Sequence, residues 1–292
     1  MIGISGATKN LGVIGWPIVH SLSPAMQTAA IRAAGADYAY IAMPVRPEAL
    51  AQAVEGLRSL GFRGFNVTIP HKTAVIDCID EIDEDARRIG AVNTVVNENG
   101  KLLGRNTDVA GFLKGLSRRG VEIENKKVVI LGAGGAARAV VWGVIREKAA
   151  KIAVGVRDAK KAGAALADFS QLADIEVCSW SDARFEAALG EADLLVNTTP
   201  LGMTPKIDEA PPVDWKHVKP EAFVYDIIYT PERTRFLREA ETRGHRVLNG
   251  TAMLVGQGAE AFAMWTGIRP DEAVMEKALL ESLRAKEQET ES

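Results

Sequence analysis

Short apolar runs alternate with amphipathic stretches along nearly the whole chain, and this restricts the fold to the α/β class with mainly parallel strands. The first half reads as strand 11–15, a helix from about Pro24 to Ala34, strand Tyr38–Val45 and helix Glu48–Leu60. Strand Phe65–Ile69 follows, then one helix from about Thr73 to Ile89 and two short strands, 92–96 and 101–104. The Asn99-Gly100 pair between those strands predicts a hairpin. From Val109 the pattern restarts, with strands at Lys127–Leu131, Lys151–Val156, Glu176–Ser179, Leu194–Asn197, Phe223–Ile228 and Arg246–Leu248. Helices at Ala252–Trp265 and Asp271–Arg284 have no strands of their own to cover, so they are expected to pack back on the first domain. The expected division is 1–108 plus 250–292 for one domain and 109–249 for the other, with the polar end Lys286–Ser292 frayed.

A chain of 292 residues, 47% hydrophobic and 25% charged, is long enough for two such cores. A net charge of −3 gives no basic field, which argues against nucleic acid or an anionic membrane as partner. No apolar run reaches the ~20 residues that span a bilayer. The opening Met1-Ile2-Gly3-Ile4-Ser5 lacks the charged and apolar regions of a signal peptide. Two widely separated cysteines, Cys78 and Cys178, form no disulfide framework, and the expectation is a cytoplasmic protein. No metal-ligand pattern is present, and the oligomeric state is left open, with a homodimer compatible.

Gly132-Ala133-Gly134-Gly135-Ala136-Ala137 follows a strand and opens a helix, the context a dinucleotide-binding loop requires. Gly132 would make the tight turn, Gly134 would let the backbone approach a pyrophosphate, and Ala137 would let the helix sit close on the strand. A bare glycine turn is the plain alternative. The acidic residue that would grip a ribose hydroxyl is missing from the end of the next strand, which closes Gly155-Val156-Arg157 with Lys160 and Lys161 behind. That basic cluster suits a 2′-phosphate, hence NADP, with NAD as the alternative, because Asp158 has the reach for a ribose hydroxyl.

Asn66-Val67-Thr68-Ile69-Pro70-His71-Lys72 places an ammonium just past a buried strand, where parallel sheets present functional groups. Alone it reads sooner as a solvated strand cap. Ser23 before Pro24 is explained as a helix N-cap, whereas Ser21 has no such explanation. Asn93 is expected just inside a strand, Asp108 at the hand-over between domains, and Gln257 within an apolar helix. Together these groups supply the hydroxyls, amides, carboxylate and ammonium that would hold a small polyhydroxylated acid.

Seven colinear segments resemble the shikimate dehydrogenase family: 65–72, 90–94, 106–108, 132–136, 197–203, 226–229 and 253–258. The resemblance implies two α/β domains, NADP-dependent reduction of 3-dehydroshikimate to shikimate, and a place in chorismate and aromatic amino acid synthesis. It implies Lys72 and Asp108 as the catalytic pair, with Ser21, Ser23, Thr68, Asn93, Tyr229 and Gln257 as further substrate ligands. It also implies Gly132, Ala133, Gly134, Gly135 and Ala136 at the pyrophosphate, and Ile227, Gly250 and Met253 near the nicotinamide. The family commonly has Asn-Arg-Thr after the second strand of the dinucleotide unit, with another arginine four residues past the first. Here Val156-Arg157-Asp158 stands there, with Lys161 in the later place. A relative acting on quinate or an amino-shikimate is the nearest alternative, and a nucleotide sensor without turnover is a more distant one.

Overall fold

A computed structural model of the chain describes residues 3–291, with side chains through Lys286. It divides into two compact units, one ending at Thr107 and resuming at Val255, the other covering Asp108–Leu254. The return falls at Val255, a few residues beyond the expected 250.

The first unit opens with β1 (Lys9–Gly15), α1 (Ser23–Ala33), β2 (Tyr38–Pro44), α2 (Leu50–Ser59) and β3 (Gly64–Val67). It continues with β4 (Glu81–Ile82), α3 (Glu84–Ile89), β5 (Thr94–Glu98) and β6 (Lys101–Arg105). The strands form one sheet in the order β2-β1-β3-β5-β6-β4. β1 runs parallel to β2 and β3, while β5 pairs antiparallel with both β3 and β6. The predicted hairpin is present. Asn99 and Gly100 both have positive φ, and the Gly100 N–H donates to Asn97 Oδ1 at 2.8 Å.

The single helix expected over 73–89 is not formed. A 3-10 turn, Ala74–Cys78, gives way to β4 and then to α3. The cause is a pair of aspartates that compete with helical backbone. Asp80 accepts from the Leu102 N–H at 2.6 Å and from Arg58 at 2.6 Å, drawing the chain onto β6. Asp83 then starts a new helix by accepting from the Ala86 N–H at 2.7 Å.

The second unit begins with α4 (Asp108–Ser117), β7 (Lys127–Leu131), α5 (Gly135–Arg146), β8 (Lys151–Val156), α6 (Ala159–Ser170) and β9 (Ile175–Ser179). Next come α7 (Ala183–Glu191), β10 (Leu194–Asn197), β11 (Phe223–Asp226), α8 (Arg235–Glu241) and β12 (Val247–Leu248). All six strands are parallel, in the order β12-β11-β10-β7-β8-β9. This is the doubly wound order whose reversal point lies between β7 and β10. Successive residues of a strand face opposite sides, so the apolar run of β7 feeds two cores. Val128 and Ile130 enter the cluster with Val140, Val144 and Phe169, whereas Val129 and Leu131 enter the one with Phe185, Leu189 and Phe236.

The last helices are α9 (Thr251–Thr266) and α10 (Glu272–Glu291). The α9 end lies on the first unit's sheet, where Trp265 Nε1 donates to the Val95 carbonyl at 2.9 Å and its ring sits 6.1 Å from that of Tyr40. α10 packs along α1. Its backbone stays helical through Glu291, where fraying was expected, and Ser292 lies outside the described residues. Among the described residues no helix is long and apolar enough to cross a membrane.

Candidate active site

In the first unit, the ends of β1 and β3 and the approach to β5 meet at one end of the sheet. The Thr68 N–H donates to the Ile14 carbonyl at 3.0 Å, and the Val67 N–H to the Asn93 carbonyl at 2.8 Å. The Lys72 carbonyl accepts from the Val92 N–H at 2.7 Å. The segment carrying Thr68 and Lys72 is therefore tied at both ends, with both side chains half-buried. His71 is buried, its Nε2 2.7 Å from the Val45 carbonyl, and serves the packing of this turn.

Asn93 is buried and precedes β5 rather than lying inside it. Its Oδ1 accepts from the Thr107 N–H at 2.8 Å, and its Nδ2 donates to the Thr107 hydroxyl at 3.1 Å. That hydroxyl lies 3.5 Å from Gln257 Oε1. On the other side, Asn66 Nδ2 donates to the Asn93 carbonyl at 3.2 Å and to Thr94 Oγ1 at 3.0 Å. The Tyr40 hydroxyl donates to Asn66 Oδ1 at 2.7 Å; burial raises its phenol, with the Ser23 side chain acting against that rise. Asn93 and Gln257 thus belong to one hydrogen-bonded array with Tyr40, Asn66 and Thr107.

Two expectations are corrected here. Ser23 is the first residue of α1 and not its cap; Leu22 takes the cap position without a side-chain bond. The Ser23 side chain instead acts on the Tyr40 phenol, opposing the rise that burial gives it. Ser21 supplies the local bond, its Oγ accepting from the Ser23 N–H at 3.3 Å. Tyr40, Asn66 and Thr107 were missed as members of the array. Two polar residues inside or beside apolar strands, Tyr40 and Asn66, were the available signal.

In the second unit, a cavity of about 1220 Å³ opens at the carboxyl ends of the strands. Of the candidates, Gly132, Ala133, Gly134, Arg157, Asp158 and Lys161 line it, joined by Trp180, Thr198, Thr199 and Met203. Gly135 and Ala136 instead form the first turn of α5. Gly132 has φ +105°, a conformation side chains disfavour, and makes the tight turn. Gly134 is the N-cap of α5, and a Cβ at Gly134 or Gly135 would meet nothing of the protein. Their small size thus leaves room above the helix N-terminus for a phosphate, which the helix dipole favours. These residues could hold a dinucleotide, with the pyrophosphate over Gly132–Gly135 and the adenosine end toward Arg157 and Lys161.

Asp158 is the N-cap of α6, accepting from the Lys161 N–H at 3.0 Å. Its carboxylate is engaged by the helix, which the sequence did not reveal. Arg157 and Lys161 are exposed beside it.

Ile227, Gly250 and Met253 do not line the cavity but lie together elsewhere in the unit. The Gly250 N–H donates to the Ile228 carbonyl at 2.9 Å, and a Cβ at Gly250 would come within 2.0 Å of the Ile227 carbonyl oxygen. Met253 is buried in the core against which Ile227 packs. Asp226, at the end of β11, holds this turn. It accepts from Asn197 Nδ2 at 3.0 Å, from the Thr234 hydroxyl at 2.6 Å and from the Ile228 N–H at 3.1 Å. Burial pushes its carboxyl up to about 7, against the pull of these three donors. Tyr229, just beyond, has its phenol raised by burial. Asp108 begins α4, with its side chain buried.

Known proteins match this arrangement over nearly its whole length. Residues 13–95 match the family described as the shikimate dehydrogenase substrate binding domain, and residues 250–280 the shikimate 5′-dehydrogenase C-terminal domain. The protein named shikimate dehydrogenase (NADP(+)) from Moorella thermoacetica is 44% identical, covering 98% of this chain and 97% of its own. The chain belongs to the shikimate dehydrogenase family. Within that family, the shikimate 5-dehydrogenase of Thermus thermophilus, solved with NADP(H) and shikimate, superposes with a TM-score of 0.85. It is 36% identical, over 94% of this chain and 99% of the other. The 5-ketofructose reductase of a Gluconobacter strain, solved without ligand, is also similar, with a TM-score of 0.87 and 38% identity over 95% and 99%. The two-domain α/β fold is that of the family's shikimate dehydrogenases.

Proposed function

We propose that the chain is an NADP-dependent shikimate dehydrogenase, an oxidoreductase that reversibly reduces 3-dehydroshikimate to shikimate. The step belongs to chorismate and aromatic amino acid synthesis, and the cytoplasm is its proposed location. One observation carries the reading. The Lys72 carbonyl is fixed by Val92, the next residue, Asn93, fixes Thr107, and Asp108 follows directly. Lys72, Asn93 and Thr107 are thus held in one hydrogen-bonded frame, and the candidate carboxylate is the next residue in the chain.

The nicotinamide supplies the hydride when bound. The Lys72 ammonium stabilises the negative charge that grows on the ketone oxygen and delivers the proton. Asp108 orients the ammonium and accepts from a substrate hydroxyl. Ser21, Ser23, Thr68, Asn93, Tyr229 and Gln257 bind the remaining hydroxyls and the carboxylate. Gly132–Ala136 hold the pyrophosphate, Arg157 and Lys161 the 2′-phosphate, and Ile227, Gly250 and Met253 shape the nicotinamide end. The unit that ends at Thr107 and resumes at Val255 and the unit Asp108–Leu254 divide the work as substrate-binding and NADP-binding domains.

The test follows reduced nicotinamide by absorbance, with shikimate or quinate as substrate and NADP or NAD as cofactor. Turnover of shikimate with NADP at the highest kcat/KM is expected. Faster turnover of quinate would reassign the substrate, and nucleotide binding without turnover of either would remove the catalytic reading.

A further inference from the structure

Trp180 is the one aromatic side chain among the described residues that line the second unit's cavity. It directly follows β9, and its backbone N–H donates to the Val156 carbonyl at 2.9 Å. Val156 is the register partner of Ser179, so the residues that come next, Arg157 and Trp180, leave neighbouring strands side by side. Ala162 and Ala165 of α6 also line the cavity, and their methyl groups take little of its room. The indole packs against the core cluster of Phe185 and Leu189, which holds it in place. Its N–H, however, is buried without a hydrogen-bond partner among the described residues. A buried donor left unpaired is costly, and a leucine or phenylalanine would serve the core without it. Packing alone therefore does not account for a tryptophan at this position.

We propose, on the reading of this cavity as the NADP site, that Trp180 is the wall against which the adenine base lies. A purine has broad flat faces, and an aromatic ring beside it gains dispersion and offset stacking while both surfaces shed water. A ring already held by the core loses little freedom when the base arrives, so more of that gain appears as affinity. The other groups at this end serve other parts of the ligand. Arg157 and Lys161 are assigned to the 2′-phosphate, and Gly132–Gly135 to the pyrophosphate. The indole has no charge and meets a part that NADP and NAD have in common. Its contribution is therefore equal for the two cofactors, whereas that of Arg157 falls on NADP alone. Affinity for the nucleotide and choice between nucleotides thus come from residues at the ends of adjacent strands.

The compound 2′,5′-ADP carries the adenosine end and the 2′-phosphate without the nicotinamide, so its binding is read without turnover. Titration calorimetry of the full chain with 2′,5′-ADP should show Trp180→Ala weaker than wild type by roughly 5- to 150-fold, the range for stacking a base on an aromatic side chain. Trp180→Phe, which keeps a smaller aromatic face, should lie between the two. In steady-state kinetics, Trp180→Ala should raise KM for NADP and NAD by a common factor and leave the NADP-over-NAD ratio of kcat/KM unchanged. The alanine change also takes apolar surface from the core, so fluorescence supplies a second measure that spares the fold. Bound 2′,5′-ADP should quench wild-type tryptophan emission and change that of Trp180→Phe much less. Equal affinity of wild type and Trp180→Ala, an equal quench in wild type and Trp180→Phe, or a loss confined to NADP would each overturn the proposal and leave the cofactor site where it is. Failure of wild type to bind 2′,5′-ADP would overturn the reading of the cavity, and the proposal with it.

Discussion

The Asp158 carboxylate accepts the Lys161 N–H at 3.0 Å, so the acid beside the basic cluster is spent on starting α6. The negative charge nevertheless remains next to Arg157, where a 2′-phosphate is proposed to sit. Helix capping and cofactor choice therefore meet in one side chain.

Asp158→Asn separates the two effects. Asparagine caps a helix about as well as aspartate, so the melting temperature should hold, while loss of the charge should raise the NADP-over-NAD ratio of kcat/KM severalfold. Arg157→Ala should erase most of that preference by weakening NADP alone, since charge-assisted bonds contribute about 1.5–3 kcal/mol. Kinetics with both cofactors decide the matter. Equal loss for NADP and NAD would place the 2′-phosphate elsewhere.

Replacing Lys72 with alanine should lower kcat by roughly 10²-fold or more and leave KM much less changed, as loss of a general acid does. The backbone tie from the Lys72 carbonyl to Val92 survives the change, so the fold should not suffer. Normal kcat with raised KM would make the lysine a binding group.

Tyr40 and Gln257 occupy different places in the same array and should respond differently. Tyr40→Phe leaves Asn66 Oδ1, buried, without its 2.7 Å donor and should cost about 1–3 kcal/mol of stability. Gln257→Ala, on a half-buried helix position, should raise KM for shikimate severalfold with little change in denaturation midpoint. Ser21→Ala should behave as Gln257→Ala does. Urea titrations beside steady-state kinetics test all three.

Asp226 makes the second unit sensitive to pH. Its carboxyl is raised to about 7 in the folded chain, above the ordinary carboxylate value near 4. The folded state therefore holds the proton more tightly than the unfolded one. The associated stability is full below about pH 4 and falls as pH rises through about 7, by up to ~1.4 kcal/mol per pH unit. Asp226→Asn should flatten the fall of the urea midpoint across that window. An unchanged slope would assign it to other groups.

Where the sequence carried strong periodicity, it located elements closely. β8 and β10 lie at the ranges read from their apolar runs, and the Asn99-Gly100 turn is where its chemistry put it. The helix expected over 73–89 failed because Asp80 and Asp83 act through partners that only the fold supplies, Leu102 and Arg58 for one and a new helix start for the other. Candidate residues were legible as types in a pattern, but their connections were not. Nothing local in the sequence says that Tyr40 reaches Asn66, or that Asn93 and Thr107 hold each other at two points. These links exist only once β2, β1, β3 and β5 are assembled into one sheet.

The paired hydrogen bonds between Asn93 and Thr107 also set a handedness. Turning the Asn93 amide over would aim its NH₂ at the Thr107 N–H, donor against donor, so its oxygen and nitrogen keep fixed places. A rigid pattern of donors and acceptors is a chiral template. A ring whose hydroxyls have the wrong configuration would be turned away by mismatched polarity, though it is no larger than the right one. Stereoisomers of one acid would then separate by the penalty of a buried polar group left unmatched, about 1–3 kcal/mol for each misplaced hydroxyl.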